Sequence, residues 1–121
     1  MRVINDNINI KDKEMLIRMI LHIKSVEYGV ILSPSHINLL IDFYIHGISH
    51  ETYDYHIEHS TSRKSSFKSI ATINNAKTYL KKCGIIIGNK ADKLTISDDY
   101  LPTELNEDLL INVKIIYDKQ D

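Results

Sequence analysis

From Ser65 to Ile96 the chain reads SSFKSIATINNAKTYLKKCGIIIGNKADKLTI. The first part of this stretch has the marks of a helix. A hydroxyl at Ser65 or Ser66 can cap it, because a serine oxygen accepts from the free amides of a first turn. Ile70, Ile73, Ala76, Leu80 and Cys83 recur at three- and four-residue steps, one apolar stripe of helical period. Lys68, Ser69, Thr72, Asn75 and Tyr79 fall on the other side, with Lys81 and Lys82 near the end. Gly84 follows where a chain leaving a helix needs positive φ. Ile85-Ile86-Ile87 and Leu94-Thr95-Ile96 read as short strands joined by the turn-forming run from Gly88 to Lys93.

Helix, glycine, strand, polar tip, strand is the order of a recognition helix and its wing. TINNAKTYLKKCGIII, then a polar tip and LTIS, resembles the second half of a winged helix-turn-helix DNA-binding domain, broadly of the MarR kind. Thr72, Ile73, Asn74, Asn75, Leu80, Gly84 and Ile85 fall on that family pattern, which covers roughly the middle half of the chain. Lys77 stands where the family usually buries an aliphatic residue, and the loop before the helix is longer than the family's tight turn. The resemblance implies a helix lying in the major groove of duplex DNA. Thr72, Asn74, Asn75 and Thr78 would then read bases or line the groove, asparagine being suited to the adenine edge. Ser66, Lys68 and Ser69, with the basic loop at Arg63 and Lys64, would hold phosphates, and Lys90 and Lys93 on the wing would touch the backbone or minor groove.

Charge points the same way. The segment from Thr61 to Lys93 holds eight basic residues and one acid, Asp92, for a net +7; the other residues hold seven bases and fifteen acids, for −8. A chain that sorts its charge this way presents one positive face suited to a polyanion. A basic run is more often only a solvated surface, but this one coincides with the expected recognition helix and wing.

The 121 residues suit one domain, and a hydrophobic fraction of 43% is ordinary for a globular protein. Heavy use of isoleucine, asparagine and lysine suggests an AT-rich genome such as that of a phage or a low-GC bacterium. The single Cys83 excludes an intramolecular disulfide and a multi-cysteine zinc site. No basic-then-apolar leader opens the chain and no apolar run has the length of a membrane span, so a cytoplasmic protein is expected.

Outward from the deciding stretch, Ile4, Ile8 and Ile10 share one parity in the first ten residues, which fits a short strand or an arm. Asp12 can cap a helix over Lys13 to Glu27 whose wide face includes Met15, Leu16, Met19, Ile20, Ile23 and Val26. So wide a face fits burial on two sides, against the domain and a second copy, although ordinary core is the commoner use. Tyr28-Gly29 ends that helix and Val30-Ile31-Leu32 is an extended link. Ser33-Pro34 opens the next helix, with Ile37, Leu40, Ile41, Tyr44 and Ile45 inward and Gly47 at its close. Ser49 caps a further helix through about Glu58, with Tyr53, His56 and Ile57 inward. His59 to Ser66 is a polar, basic loop. The segment from Thr103 to Lys119 fits a helix through Leu105, Leu109, Val113, Ile116 and Tyr117, and a strand through Leu109, Ile111, Val113, Ile115 and Tyr117. Its early acids and late lysines suit a helix dipole, and helix is the reading adopted.

Catalytic and metal chemistry finds little footing. His46 and His50 are separated by Gly47 and a helix start. His50-Glu51 begins like a zinc-protease motif, but the second ligand position is Asp54. His56 and His59 share a face without a third ligand. Gly84 to Gly88 lacks the lysine of a phosphate loop, Cys83 lies on an apolar stripe, and Asp98-Asp99 reads as a turn. No enzyme and no cofactor is expected.

The expectation is therefore a mainly α fold with a small β hairpin, a single winged-helix domain over residues 1–121. Within it, 1–28 is an N-terminal arm and helix, 33–97 the core and 98–121 a C-terminal element. The function expected is sequence-specific duplex DNA binding by a homodimeric transcriptional regulator. The alternative is a winged helix used to bind protein, in a phage structural or assembly role or beside a polymerase.

Overall fold

The structure, a computed structural model, describes residues 2–8, 12–88, 93–102 and 111–117. It is mainly helical. Four helices among the described residues, α1 (Lys13–Tyr28), α2 (Pro34–His46), α3 (His50–His59) and α4 (Ile70–Lys82), precede a small antiparallel hairpin of β2 (Ile86–Gly88) and β3 (Leu94–Ile96). A second two-stranded sheet joins β1 (Arg2–Ile8) to β4 (Ile111–Tyr117).

Side-chain oxygens start every one of these helices by taking up first-turn amides. The Asp12 carboxylate accepts from the Glu14 amide at 2.9 Å. Ser33 caps α2 in a reciprocal box with His36, and Pro34 sits at the first helical position. Ser49 caps α3 as expected. The cap of α4 is Ser69, boxed with Thr72, rather than Ser65 or Ser66. Those two serines are committed elsewhere: the Ser65 hydroxyl meets His56 at 2.8 Å, and the Ser66 amide donates to Ser35 Oγ at 2.8 Å.

The centre of the core is α2. Ile37, Leu39, Leu40, Ile41 and Phe43 are all buried, which is possible because the helix packs against α1, α3 and β3. The expected inward face of α2 is thus shifted: Leu39 and Phe43 belong to it, and Ile45 is exposed. Ile17 and Leu21 of α1, Tyr53 and His56 of α3, and Ile73, Ala76 and Leu80 of α4 close around it. The apolar stripe of α4 is shorter than the sequence suggests. Ile70, in the first turn, is exposed, and Cys83 is half-buried past the last helical residue.

Gly84 adopts φ +76° and turns the chain from α4 into the hairpin, where Ile85 and Ile86 enter the core. The register sets Ile86 opposite Ile96 and Gly88 opposite Leu94, and Ser97 N–H extends the ladder to the Ile85 carbonyl at 2.8 Å. After it, Tyr100 and Leu101 are buried and the Tyr44 hydroxyl donates to the Pro102 carbonyl, so the core runs at least to residue 102.

The segment from Thr103 to Lys119 corrects the helical reading. Its described part, Ile111–Tyr117, is a strand, antiparallel to β1, with Ile4 opposite Ile115 and Ile8 opposite Ile111. β-branched residues at 111, 113, 115 and 116 favour extended backbone. What decides the matter is the partner strand over a hundred residues away, which fills every pairing position from Arg2 to Ile8.

Candidate functional site

The site is built on α4, whose two sides do different work. Ile73, Ala76 and Leu80 hold it to the core. The opposite side carries Ala71, Asn74, Asn75, Thr78, Lys81 and Lys82, all exposed. Helical spacing puts Ala71, Asn75, Thr78 and Lys82 along the middle of that face, flanked by Asn74 and Lys81. Its amides and lysines are open: among the described residues neither the Asn74 nor the Asn75 side chain has a hydrogen-bond partner. Thr78 donates its hydroxyl back to the Asn74 carbonyl at 3.0 Å. Lys68 and Lys64 are exposed before the helix, and no acid occurs between Glu58 and Asp92.

The loop before α4 is longer than a tight turn because it is bolted into the core. Asp42, His56 and Ser65, at 1%, 0% and 1% exposure, line up as a carboxylate, an imidazole and a hydroxyl. His56 Nδ1 lies 2.7 Å from Asp42 Oδ2 and its Nε2 lies 2.8 Å from Ser65 Oγ. With Nδ1–H donating to Asp42, Nε2 accepts the Ser65 hydroxyl proton, and Ser65 Oγ in turn accepts from the Phe67 amide at 3.2 Å. The order is that of a hydrolase triad, but the hydroxyl is sealed from solvent and no substrate carbonyl can reach it. The network is a bolt between α2, α3 and the entry to α4.

Arg63 belongs to the same bolt. Its guanidinium donates to Asp42 Oδ1 and lies 5.6 Å from the Tyr55 ring centre. Burial pushes the Asp42 carboxyl up, but the bonds from His56 and Arg63 more than offset it and hold the group below its ordinary value. Arg63, which the sequence placed among the phosphate-holding residues, thus gives one guanidinium donor to this bolt. Only an acid at position 42, on the same helix as Ile37, Leu40 and Ile41, could have hinted at this.

The other expected contact residues divide. Lys64, Ser66, Lys68, Asn74, Asn75 and Thr78 are exposed, the last three on the outward side of α4. Ser69 and Thr72 are consumed by the cap: the Thr72 hydroxyl donates to the Ser69 carbonyl at 2.8 Å and Thr72 is half-buried, off the outward face. Lys93 is exposed immediately before β3, at the turn end of the hairpin, and Lys90 lies outside the described residues. Lys81 and Lys82, absent from the expected contact set, belong to this surface. Lys77, at a position where the family pattern has an aliphatic residue, is half-buried and donates to the Tyr53 hydroxyl, with its ammonium 5.2 Å from that ring. It ties α4 to α3. The Tyr79 hydroxyl donates to the Ile31 carbonyl at 2.6 Å, and its ring stacks on His36 at 5.0 Å. Burial lowers the His36 imidazole below its ordinary 6.5.

A cleft of about 560 Å³ opens beside α4, lined by Gly47, Ile48, Ser49, His50, Tyr53, Lys77, Lys93 and Leu94. Among the described residues no group of His, Cys, Asp and Glu could hold a metal ion, and no helix is long and apolar enough to cross a membrane. No protein-family model, curated protein or solved structure matches the chain.

Proposed function

We propose that the protein binds duplex DNA as a winged helix-turn-helix, with α3 and α4 as the two helices, the outward face of α4 in the major groove and the β2–β3 hairpin as the wing. The observation that carries this reading is that face: Ala71, Asn74, Asn75, Thr78, Lys81 and Lys82 stand exposed and free of acids, while the opposite side of the same helix is locked to the core. Side chains of this kind suit both tasks of a groove-reading helix. Asn75 can donate to and accept from one adenine edge, and Lys68, Lys81 and Lys82 can meet phosphates at either end. A transcriptional regulator is the role such binding would serve.

Self-association is part of the proposal. Met15, Ile23 and Val26 on α1 are 54%, 42% and 82% exposed along one side of the helix. A stripe of this kind can pack against its own copy about a two-fold axis, and a dimer reads two half-sites one helical turn apart.

Selection of bound sequences from a random duplex pool tests the reading and supplies the preferred site. On that site Asn75→Ala should cost about 1–3 kcal/mol, and on random duplex much less. Its fold should survive, because an exposed side chain contributes little to stability. Equal losses on both duplexes, or none on either, would mean that Asn75 reads no base.

A further inference from the structure

We infer that the outward face of α4 selects runs of adenine–thymine pairs by reading the C5-methyl group of thymine, an inference that rests on duplex binding by that face. The first turn of the helix offers hydrocarbon outward. Its polar groups are spent on the cap: Ser69 Oγ accepts from the Thr72 amide at 3.3 Å, and the Thr72 hydroxyl donates to the Ser69 carbonyl at 2.8 Å. What stays open there is Ile70, 46% exposed, and Ala71. Two turns on, Thr78 is exposed, but its hydroxyl donates to the Asn74 carbonyl at 3.0 Å. A threonine bonded back into its own helix has its γ-methyl left for the groove. Ala71, Asn75 and Thr78 follow one another at steps of four and three residues, so the middle of the face runs methyl, amide, methyl. Asn74 stands beside that line, with Ile70 one turn before it.

An adenine–thymine run presents the matching groups. Adenine shows N7 and its N6 amino group, which one asparagine amide can donate to and accept from. Thymine shows a methyl beside O4, on which an alanine or a threonine methyl packs. From Ala71 to Thr78 is about 10 Å along the helix, the height of about three base-pair steps. Readers of the other pair are missing. Guanine is read most often by arginine, and α4 has none; cytosine is read by a carboxylate, and no acid occurs between Glu58 and Asp92. Lys81 and Lys82 stand in the last turn, the end that meets phosphates in the proposed complex.

Replacing thymine by uracil isolates the methyl, because uracil keeps the hydrogen-bonding edge of thymine and leaves the minor groove as it is. Binding of the full-length chain is followed by fluorescence anisotropy on three short duplexes: alternating adenine–thymine, the same with uracil for thymine, and alternating guanine–cytosine. The thymine duplex should bind most tightly. Uracil should weaken binding about 15-fold, a factor of about four for each of two methyls no longer buried. Thr78→Ser deletes the γ-methyl and keeps the hydroxyl that bonds the Asn74 carbonyl. It should weaken binding to the thymine duplex about 4-fold and leave the uracil duplex as it was, so that the difference between them shrinks. Equal affinity for the thymine and uracil duplexes overturns the inference. So does a guanine–cytosine duplex bound as tightly as the thymine one, or a Thr78→Ser chain that loses equally on thymine and uracil. In each of these cases a duplex is still bound, so α4 remains a DNA-binding helix with other preferences. No binding to any of the three at low salt overturns the duplex reading itself, and this inference with it.

Discussion

Asp42 is the residue on which the placement of α4 depends most. Its carboxylate is nearly inaccessible and meets both His56 and Arg63. Asp42→Ala should cost about 3–5 kcal/mol, because it leaves a buried imidazole and a half-buried guanidinium without their acceptor. Urea unfolding measures this; a loss under about 1 kcal/mol, the size of an ordinary surface ion pair, would mean that the bolt is incidental. The pH dependence has a definite sign. The folded carboxyl titrates below its ordinary 3.8, so its contribution is present above that pH and is lost as pH falls through the folded value. Asp42→Asn should accordingly flatten the acid limb of the stability curve. At this scale the sequence is least informative. Ser65, His56 and Arg63 sit in a stretch that reads as cap, inward helix face and phosphate loop. Their true partners lie 9 to 21 residues away along the chain, across a helix packing that no local pattern encodes.

Elements are more legible, and the reason is periodicity and punctuation. Asp12, Ser33 and Ser49 cap the helices expected of them, Gly29, Gly47 and Gly84 end or follow helices, and the strand pair after Gly84 is present. Ile73, Ala76 and Leu80 are the buried stripe of α4. Leu80→Ala should therefore destabilise by roughly 2–5 kcal/mol, the cost of reduced burial and a residual cavity. The exposed Ile70→Ala should cost far less, and comparable losses at the two positions would place the helix on the wrong face. Two elements depart from their sequence pattern for opposite reasons. The start of α4 lies beyond the first serines that could cap it: the Ser65 hydroxyl is held by His56, and the cap is Ser69, boxed with Thr72. The strand Ile111–Tyr117 fits two periods equally, and only its distant partner β1 separates them.

For the whole molecule, charge segregation and exposed apolar surface are the features with consequences. The outward stripe of α1 predicts a dimer at micromolar concentration, and Val26→Glu with Ile23→Glu should give monomers of unchanged helix content. Light scattering that finds monomers of the unmutated chain, with and without duplex, would remove the second copy. The positive segment from Thr61 to Lys93, net +7 in a chain of net −1, predicts an affinity for duplex carried largely by phosphate contacts. The most direct measurement is the salt dependence of binding to random duplex, for the unmutated chain and for Lys81→Ala with Lys82→Ala. Both substitutions lie on the outward face of α4, away from the core and the cleft. The logarithm of affinity should fall linearly with that of salt, and the double variant should shrink the slope by up to about 2, one for each phosphate that a lysine no longer neutralises. No binding at low salt, or an unchanged slope in the variant, would contradict a duplex seated on α4.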